Sequence, residues 1–156
     1  CVLPEYRTRH IIQKLWVGIS EYVTKNDIGL LFGCASIPGT DIDRISQQLA
    51  YLYHYHLAPA DIRPTALKQL YVNMNLHEKD TLNEARIFAS LPPLFKGYLR
   101  IGSCVGDGAV IDNDFNTTDV CMILSTKAVT DRYKNHYERH NKSSLPSGDH
   151  VVSKQQ

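Results

Sequence analysis

The sequence carries no large excess of charge of either sign, because 17 Lys and Arg residues stand against 16 Asp and Glu residues. A net charge of +1 argues against binding to duplex nucleic acid, since proteins that do so usually carry a strong basic excess. Long apolar runs are also missing, and none approaches the roughly 18 residues of a membrane-spanning helix. No basic stretch followed by an apolar one opens the chain as a secretion signal would. We therefore expect a cytoplasmic protein with no nucleic-acid partner.

Cysteine is scarce, and the four cysteines Cys1, Cys34, Cys104 and Cys121 form no C-x-x-C pair. This spacing argues against a disulfide framework and a zinc knuckle, so we expect reduced, mostly buried thiols. Cys34 has apolar neighbours, and we interpret it as an inert core residue rather than a thioester nucleophile. A cysteine at position 1 suits either an acylated lipoprotein or a segment of a longer chain. The strand-like start that follows favours the segment.

Of the 156 residues, 43% are hydrophobic and 21% are charged. This length and composition predict one folded domain. Helical periodicity predicts a helix from Thr8 to Asn26, and the apolar run Ile28 to Ala35 predicts a strand covered on both faces. With a strand ending at Pro4, these elements predict a parallel, right-handed strand-helix-strand unit. The other expected elements are helices at Ile42–Tyr55, Leu82–Ala89, Pro93–Ile101 and from Lys127, with strands at Tyr71–Leu76 and Val120–Leu124. The expected fold class is α/β, with a polar, disordered tail from Asn141.

Between the first expected strand and helix lies the stretch Val2 to Arg9, where unpaired backbone N–H groups and the helix dipole favour an anion such as phosphate. Arg7 and Arg9 add positive charge there. A plain connection with solvated arginines is the alternative.

Four acids, Asp107, Asp112, Asp114 and Asp119, fall in 13 positions without Lys or Arg, which gives a local charge of −4. This segment predicts a cationic or metal partner. Its start resembles a calcium-binding EF-hand loop, but Thr117 and Ile123 replace the required Gly and Glu. We therefore expect no calcium or other metal site of that kind.

Lys96 and Arg100 are four residues apart on a predicted helix and so share one face. A carboxylate would pair with either side chain, since guanidinium binds carboxylate through two hydrogen bonds, while an ammonium group would face the aspartates. The two clusters together fit an amino acid with a cationic side chain. A solvated charged surface is the alternative.

Two further clusters have weaker interpretations. His54 and His56 would point to different faces of a helix, so helix-end packing is favoured over metal ligation. The segment from Lys127 to Lys142 has a local charge of +3. It suits docking on an anionic membrane or an acidic protein, and a solvated helix face is the alternative.

A family resemblance follows the order of the chain. It is carried by Cys1-Val2-Leu3-Pro4-Glu5-Tyr6-Arg7, Leu15-Trp16, Gly33-Cys34-Ala35-Ser36, Gly39-Thr40-Asp41, His56-Leu57-Ala58-Pro59, Leu91-Pro92-Pro93-Leu94, Lys96-Gly97-Tyr98-Leu99-Arg100, Gly106-Asp107-Gly108-Ala109 and Phe115-Asn116-Thr117-Thr118-Asp119. These segments resemble the C-terminal half of the bacterial L-ornithine Nα-acyltransferases of ornithine lipid biosynthesis, which are related to the GNAT superfamily.

The resemblance implies a fold and a reaction. Residues 1–140 would form the C-terminal portion of a single GNAT-like acyltransferase domain, a mixed sheet flanked by helices, and residues 141–156 a tail. The reaction would move a 3-hydroxyacyl group from acyl carrier protein to the α-amine of L-ornithine, giving lyso-ornithine lipid, with peripheral contact at the inner face of the cytoplasmic membrane. Two competing functions are acyl-homoserine-lactone synthesis and a non-catalytic, haemolysin-like interaction with membranes.

The resemblance also implies site residues. Asp119 is the first choice for the general base and Asp112 the second. The substrate-binding residues would be Lys96, Arg100, Asn116 and Thr118. The phosphopantetheine of the carrier protein would lie along Val2, Leu3, Arg7, Thr8 and Arg9, with no permanently bound cofactor. His10 and Ile12 stand where the GNAT phosphate loop has small residues, which favours a carrier protein over acyl-CoA as donor.

Overall fold

The computed structural model describes residues 3–6 and 9–127. The elements in chain order are a 3₁₀ turn Pro4–Tyr6, α1 Arg9–Lys25, β1 Leu30–Pro38, α2 Ile42–His56, a 3₁₀ turn Lys79–Thr81, α3 Glu84–Ser90, α4 Pro93–Arg100, β2 Cys104–Val105, β3 Val110–Asp112 and β4 Thr117–Ser125. Helices and strands are interleaved along the chain, which confirms the predicted α/β class.

The helices begin and end where local chemistry allows it. At the end of α1, the Asn26 side-chain amide donates to the Tyr22 carbonyl at 2.8 Å. At the start of α3, the Asn83 side chain accepts from the backbone N–H of Arg86, as an N-cap does. α4 begins with Pro93 in its first turn, where a missing N–H costs nothing.

β4 lies at the centre of the sheet. β1 pairs with it antiparallel along nine residues, from Leu30 opposite Ser125 to Pro38 opposite Thr117. On the other side of β4, β2 and β3 pair antiparallel at successive positions, with Cys104 opposite Ile123. All pairings between the described strands are therefore antiparallel, and the mixed sheet predicted from the sequence is not seen there. Parallel contacts occur only as isolated bridges, at Leu57 and Thr65.

The core lies on one face of this sheet. Alternate residues of β4, Thr118, Val120, Met122 and Leu124, are buried there against the helices. The helices contribute fully or nearly fully buried apolar side chains, among them Leu49, Leu52, Ile87, Phe95 and Leu99. Alternation along β4 therefore leaves Asp119 and Cys121 on the opposite face.

The structure corrects the predictions for β1. The strand is not covered on both faces, because Phe32 is 78% exposed and Cys34 is exposed as well. Cys34 is therefore not a core residue. Within residues 3–6 and 9–127, the predicted parallel strand-helix-strand unit is also absent. Pro4–Tyr6 is a 3₁₀ turn rather than the end of a strand, and β1 pairs only with β4, in antiparallel orientation.

Other predictions fall differently. Tyr71–Leu76 is not a strand, because only a single bridge, between Val72 and Ala109, joins it to the sheet. Asp41, the N-cap residue of α2, makes no capping bond through its side chain and instead pairs with Arg44 on the surface. The helix predicted from Lys127 and the tail lie outside the described residues. Within those residues, no helix is long and apolar enough to cross a membrane.

Candidate functional site

The four aspartates of the acidic segment line one cavity of about 660 Å³, which we call the acidic cavity. Asp112, Asp114 and Asp119 come together because β3 and β4 form a hairpin in which Asp112 lies opposite Thr117 and Val110 opposite Asp119. Asp107 lies three residues before β3. The described lining of this cavity contains no Lys, Arg or His. Its charge therefore suits a cationic group, as the sequence predicts.

Asp119 lies on β4 and is partly buried. The hydroxyl of Thr117, two residues earlier on the same face of the strand, donates to its Oδ1 at 3.0 Å. One carboxylate oxygen thus has a fixed neighbour, which orients the group toward the cavity that it lines. A carboxylate held in this way can accept a proton from an amine directly or through water.

Asp112 has a structural task in the same hairpin. Its Oδ1 accepts hydrogen bonds from the backbone N–H groups of Asp114 and Phe115, at 2.9 and 3.0 Å. This arrangement is an Asx turn, in which the side chain replaces a backbone acceptor. Asp114 is exposed at the rim of the same cavity.

Asn116 and Thr118 fix the end of β1 beside the hairpin. Asn116 adopts a left-handed backbone conformation with φ of 53°, and its carbonyl accepts from the Gly39 N–H at 2.9 Å. Thr118 is fully buried, and its hydroxyl donates to the Gly39 carbonyl at 2.8 Å. In the structure both residues therefore hold the backbone in place.

Asp107 connects the acidic cavity to Tyr71, which lies on a distant segment of the chain. The Tyr71 hydroxyl donates to Asp107 Oδ1 at 2.9 Å. Burial raises the pKa of the Tyr71 phenol, and the hydrogen bond to Asp107 raises it further. The neighbouring Gly106 allows the backbone at Pro64 to approach, because a Cβ at position 106 would lie 2.8 Å from the Pro64 carbonyl oxygen.

Lys96 and Arg100 lie elsewhere. The Lys96 ammonium donates to the Ala89 carbonyl at 2.7 Å, and the Arg100 guanidinium lies over the Phe88 ring. Neither belongs to the described lining of the acidic cavity. Cys104, four residues after Arg100, pairs with Ile123, about 14 Å along β4 from Asp119 at roughly 3.4 Å per residue. The two clusters thus do not meet in one described cavity.

A second cavity, which sequence reasoning missed, lies between α1 and the sheet. This apolar groove has a volume of about 590 Å³, and its lining includes Leu15, Trp16, Phe32, Met122 and Leu124. The sequence signal for this groove was the apolar stripe of α1, because residues of that stripe such as Leu15 and Ile19 line the groove and stay exposed. Tyr22, also in the lining, stays 64% exposed.

The groove and the acidic cavity share one residue, Cys34 of β1. The groove lies against the sheet face that carries Met122 and Leu124, whereas the acidic cavity lies against the face that carries Asp119 and Cys121. Among the described strands, β1 has β4 as its only neighbour. Its second edge thus gives a path from one cavity to the other.

The predicted phosphopantetheine residues fall mostly outside this description. Leu3 is exposed, and Arg9 is the first residue of α1. Val2, Arg7 and Thr8 lie outside the described residues, as do the side chains of His10 and Ile12. The donor loop stays a prediction.

The two histidines of α2 have partners within the protein. His54 Nε2 lies 2.8 Å from the His77 carbonyl, and His56 Nε2 lies 3.0 Å from the Tyr51 hydroxyl. In the part of the chain that the structure describes, no three His, Cys, Asp or Glu side chains are arranged to hold a metal ion.

Comparison with known proteins gives a consistent result. No family model matches the chain, and no solved structure gives a significant match. The L-ornithine N(alpha)-acyltransferase of Agrobacterium fabrum is 40% identical over 137 residues, which are 88% of this chain and 47% of the relative. The enzymes of that name from Rhodobacter capsulatus and Rhizobium meliloti are 40% and 41% identical and cover 89% and 88% of the chain, which are 53% and 46% of the relatives.

The resemblance predicted from the sequence segments is thus confirmed. The chain spans about half the length of the curated relatives that it matches. Each of these relatives is named as an acyltransferase.

Proposed function

We propose that this chain carries the acceptor site of an N-acyltransferase that moves a 3-hydroxyacyl group from acyl carrier protein to the α-amine of L-ornithine. The products are lyso-ornithine lipid and free carrier protein. The observation that carries the proposal is the 40% identity over 88% of the chain with relatives that bear the acyltransferase name. The acidic cavity supports it independently, since ornithine brings two amino groups to the site.

The reaction sets three requirements. The amine must lose a proton before it attacks the thioester carbonyl carbon, because an α-ammonium group with a pKa of roughly 8 is not a nucleophile. The tetrahedral oxyanion then needs hydrogen-bond donors. The C–N bond is already formed in this intermediate; its collapse breaks the C–S bond and restores the carbonyl, and the leaving thiolate takes up a proton.

Asp119 is our choice for the group that removes the amine proton, with Asp112 second. Asp119 has one oxygen bonded to the Thr117 hydroxyl and lines the cavity, whereas Asp112 already spends one oxygen on two backbone N–H groups. The geometry thus favours Asp119. The remaining acids would hold the ammonium group of the ornithine side chain.

The carboxylate of ornithine is assigned to Arg100 or Lys96 as a separate hypothesis. Neither side chain lines the acidic cavity. The described geometry therefore favours the aspartates over Arg100 as the main contact of the acceptor.

The donor side of the proposal rests on the sequence. A carrier protein presents one phosphate and no nucleotide, which suits a loop with His10 and Ile12 in place of small residues. The phosphopantetheine would run along Val2, Leu3, Arg7, Thr8 and Arg9. The basic segment from Lys127 to Lys142 would hold the protein at the inner face of the cytoplasmic membrane, where the lipid product partitions.

The decisive experiment is mass spectrometry of lipids from a host that makes no ornithine lipid. The host would express the complete reading frame that contains this chain. We expect lyso-ornithine lipid in the extract, and purified protein should use the acyl carrier protein donor faster than the matched acyl-CoA. Acyl-homoserine lactone in place of the lipid, or no acylated product at all, would refute the proposal in favour of the two competing functions.

The proposed base is tested by Asp119→Asn in the same frame. The amide keeps the shape of the side chain and removes its charge and basicity, so turnover should fall by roughly 10²- to 10⁴-fold while circular dichroism stays unchanged. Asp61→Asn is the control, since Asp61 is exposed and lies outside both cavities. Wild-type turnover of Asp119→Asn across pH, or loss of its folded spectrum, would remove Asp119 from this role.

A further inference from the structure

We propose that the apolar groove binds the acyl chain of the donor and that Ser103 recognises a hydroxyl group on that chain. The inference rests on the proposed function. It makes Ser103 the residue that distinguishes a hydroxylated acyl chain from a plain one, which carries no hydroxyl group. Ser103 lies directly before β2 and contributes to the lining of the groove.

The hydroxyl of Ser103 lacks a hydrogen-bond partner among the described residues, although the side chain is only 4% exposed. Buried polar groups in folded proteins are nearly always paired, and each exception needs an explanation. The backbone holds the residue firmly, since its N–H donates to the Tyr98 carbonyl at 3.0 Å at the end of α4. The backbone of Ser103 is therefore fixed, and its hydroxyl has an unused bonding capacity at a residue that lines the groove.

The rest of the groove limits what can bind there. Its lining is dominated by side chains such as Trp16, Ile19, Phe32 and Met122, and Lys14 is its one charged member at the described positions. A volume of about 590 Å³ falls within the roughly 300–1,000 Å³ of small-molecule sites. The matching ligand is an apolar chain with one uncharged hydrogen-bonding group, which describes a hydroxyacyl chain.

The position of the groove suits the same ligand. Cys34 borders both the groove and the acidic cavity, so a chain that lies in the groove brings its thioester end toward the amine in the cavity. The open edge of β1 leaves room for this passage. A plain acyl chain would fill the same groove and leave the Ser103 hydroxyl unpaired.

Binding is measured without acyl transfer through the fluorescence of Trp16, the one tryptophan of the chain. The probes are the N-acetylcysteamine thioesters of 3-hydroxydodecanoic and dodecanoic acid, titrated into the full chain. We expect the hydroxylated probe to bind roughly 3- to 10-fold tighter, the contribution of one neutral hydrogen bond. Ser103→Ala should remove this difference and leave binding of the plain probe unchanged.

Two controls separate recognition from structure. Ser20→Ala changes a serine of α1 that is exposed and outside the groove, and it should keep the preference. Thermal unfolding of Ser103→Ala should match or exceed that of the wild type, because the substitution removes a polar group that has no partner.

The outcomes distinguish this inference from the proposed function. A preference that depends on Ser103 in a protein without acyltransferase activity would support the groove site and refute the function. Acyl transfer with equal binding of the two probes, or a preference that survives Ser103→Ala, would refute the role of Ser103. Failure of both probes to change the Trp16 emission would refute the groove as the chain site.

Discussion

Gly108 gives the sharpest test of how the acidic cavity is built. Its backbone has φ of +84°, a conformation that side chains other than glycine rarely adopt. A Cβ at this position would overlap with the Tyr71 ring and lie 3.0 Å from the Ala66 Cβ. The same ring carries the hydroxyl that donates to Asp107. The absence of a side chain at Gly108 therefore allows Tyr71 to hold Asp107 in its place in the cavity lining.

The cost of Gly108→Ala follows from two effects. The left-handed backbone costs a residue with a Cβ about 1–2 kcal/mol, and an added methyl group in a filled site costs about 1–3 kcal/mol. We therefore expect the free energy of unfolding to fall by about 2–5 kcal/mol, a large share of the roughly 5–15 kcal/mol of a typical domain. Urea unfolding followed by circular dichroism measures this change.

Gly97→Ala is the matched control with the opposite sign. Gly97 lies inside α4 with open space around its Cβ position, and alanine there should raise stability by about 0.5–1 kcal/mol. If both variants shift the unfolding midpoint in the same direction, or if Gly108→Ala leaves it unchanged, the segment from 106 to 109 does not follow the path described.

Two further predictions concern titratable groups. Burial lowers the pKa of the His56 imidazole, against a smaller opposing effect of Glu84, so the unfolded chain binds more protons than the folded one between the folded pKa and the ordinary value near 6.5. The contribution of His56 to the free energy of unfolding should be fully present above about pH 6.5 and should be lost as the pH drops toward the folded pKa. His56→Gln should reduce this pH dependence, measured by urea unfolding at a series of pH values. Among the described cysteines, Cys34 is exposed while burial raises the thiol pKa values of Cys104 and Cys121. Peptide mapping after brief iodoacetamide treatment near pH 7.5 should find Cys34 alkylated first, and preferential labelling of either other thiol would contradict the exposed face of β1.

The sequence predicted the elements whose signal is local. α1, α2 and α4 carry apolar residues at helical spacing, and the ends predicted for them agree with the structure within one or two residues. The acidic cavity was also predictable, because its four aspartates lie within 13 consecutive positions and three of them belong to the β3–β4 hairpin. Charge along a short segment was sufficient in that case.

The rest depended on pairing between distant segments. An apolar run such as Ile28 to Ala35 shows that a strand forms, but not which elements cover it, and β1 has one exposed face. The position of Cys104 opposite Ile123 follows from the register of β2 on β4, which spacing along the chain does not encode. Nothing in the sequence predicted a binding role for Ser103, because a single serine before a strand is common and only the structure shows that this one is buried.

The register of β1 on β4 links this pairing to the chemistry. Side chains alternate between the two faces of a strand, so a slip of one residue would place Asp119 in the core and a buried neighbour in the cavity. Two hydrogen bonds oppose that slip, from the Gly39 N–H to the Asn116 carbonyl and from the Thr118 hydroxyl to the Gly39 carbonyl. Because Thr118 is fully buried, its influence on an acceptor in the cavity would pass through the position of Asp119. The resemblance implies that Asn116 and Thr118 bind substrate, and in the structure their hydrogen bonds to Gly39 help to fix the register that places Asp119 at the acidic cavity.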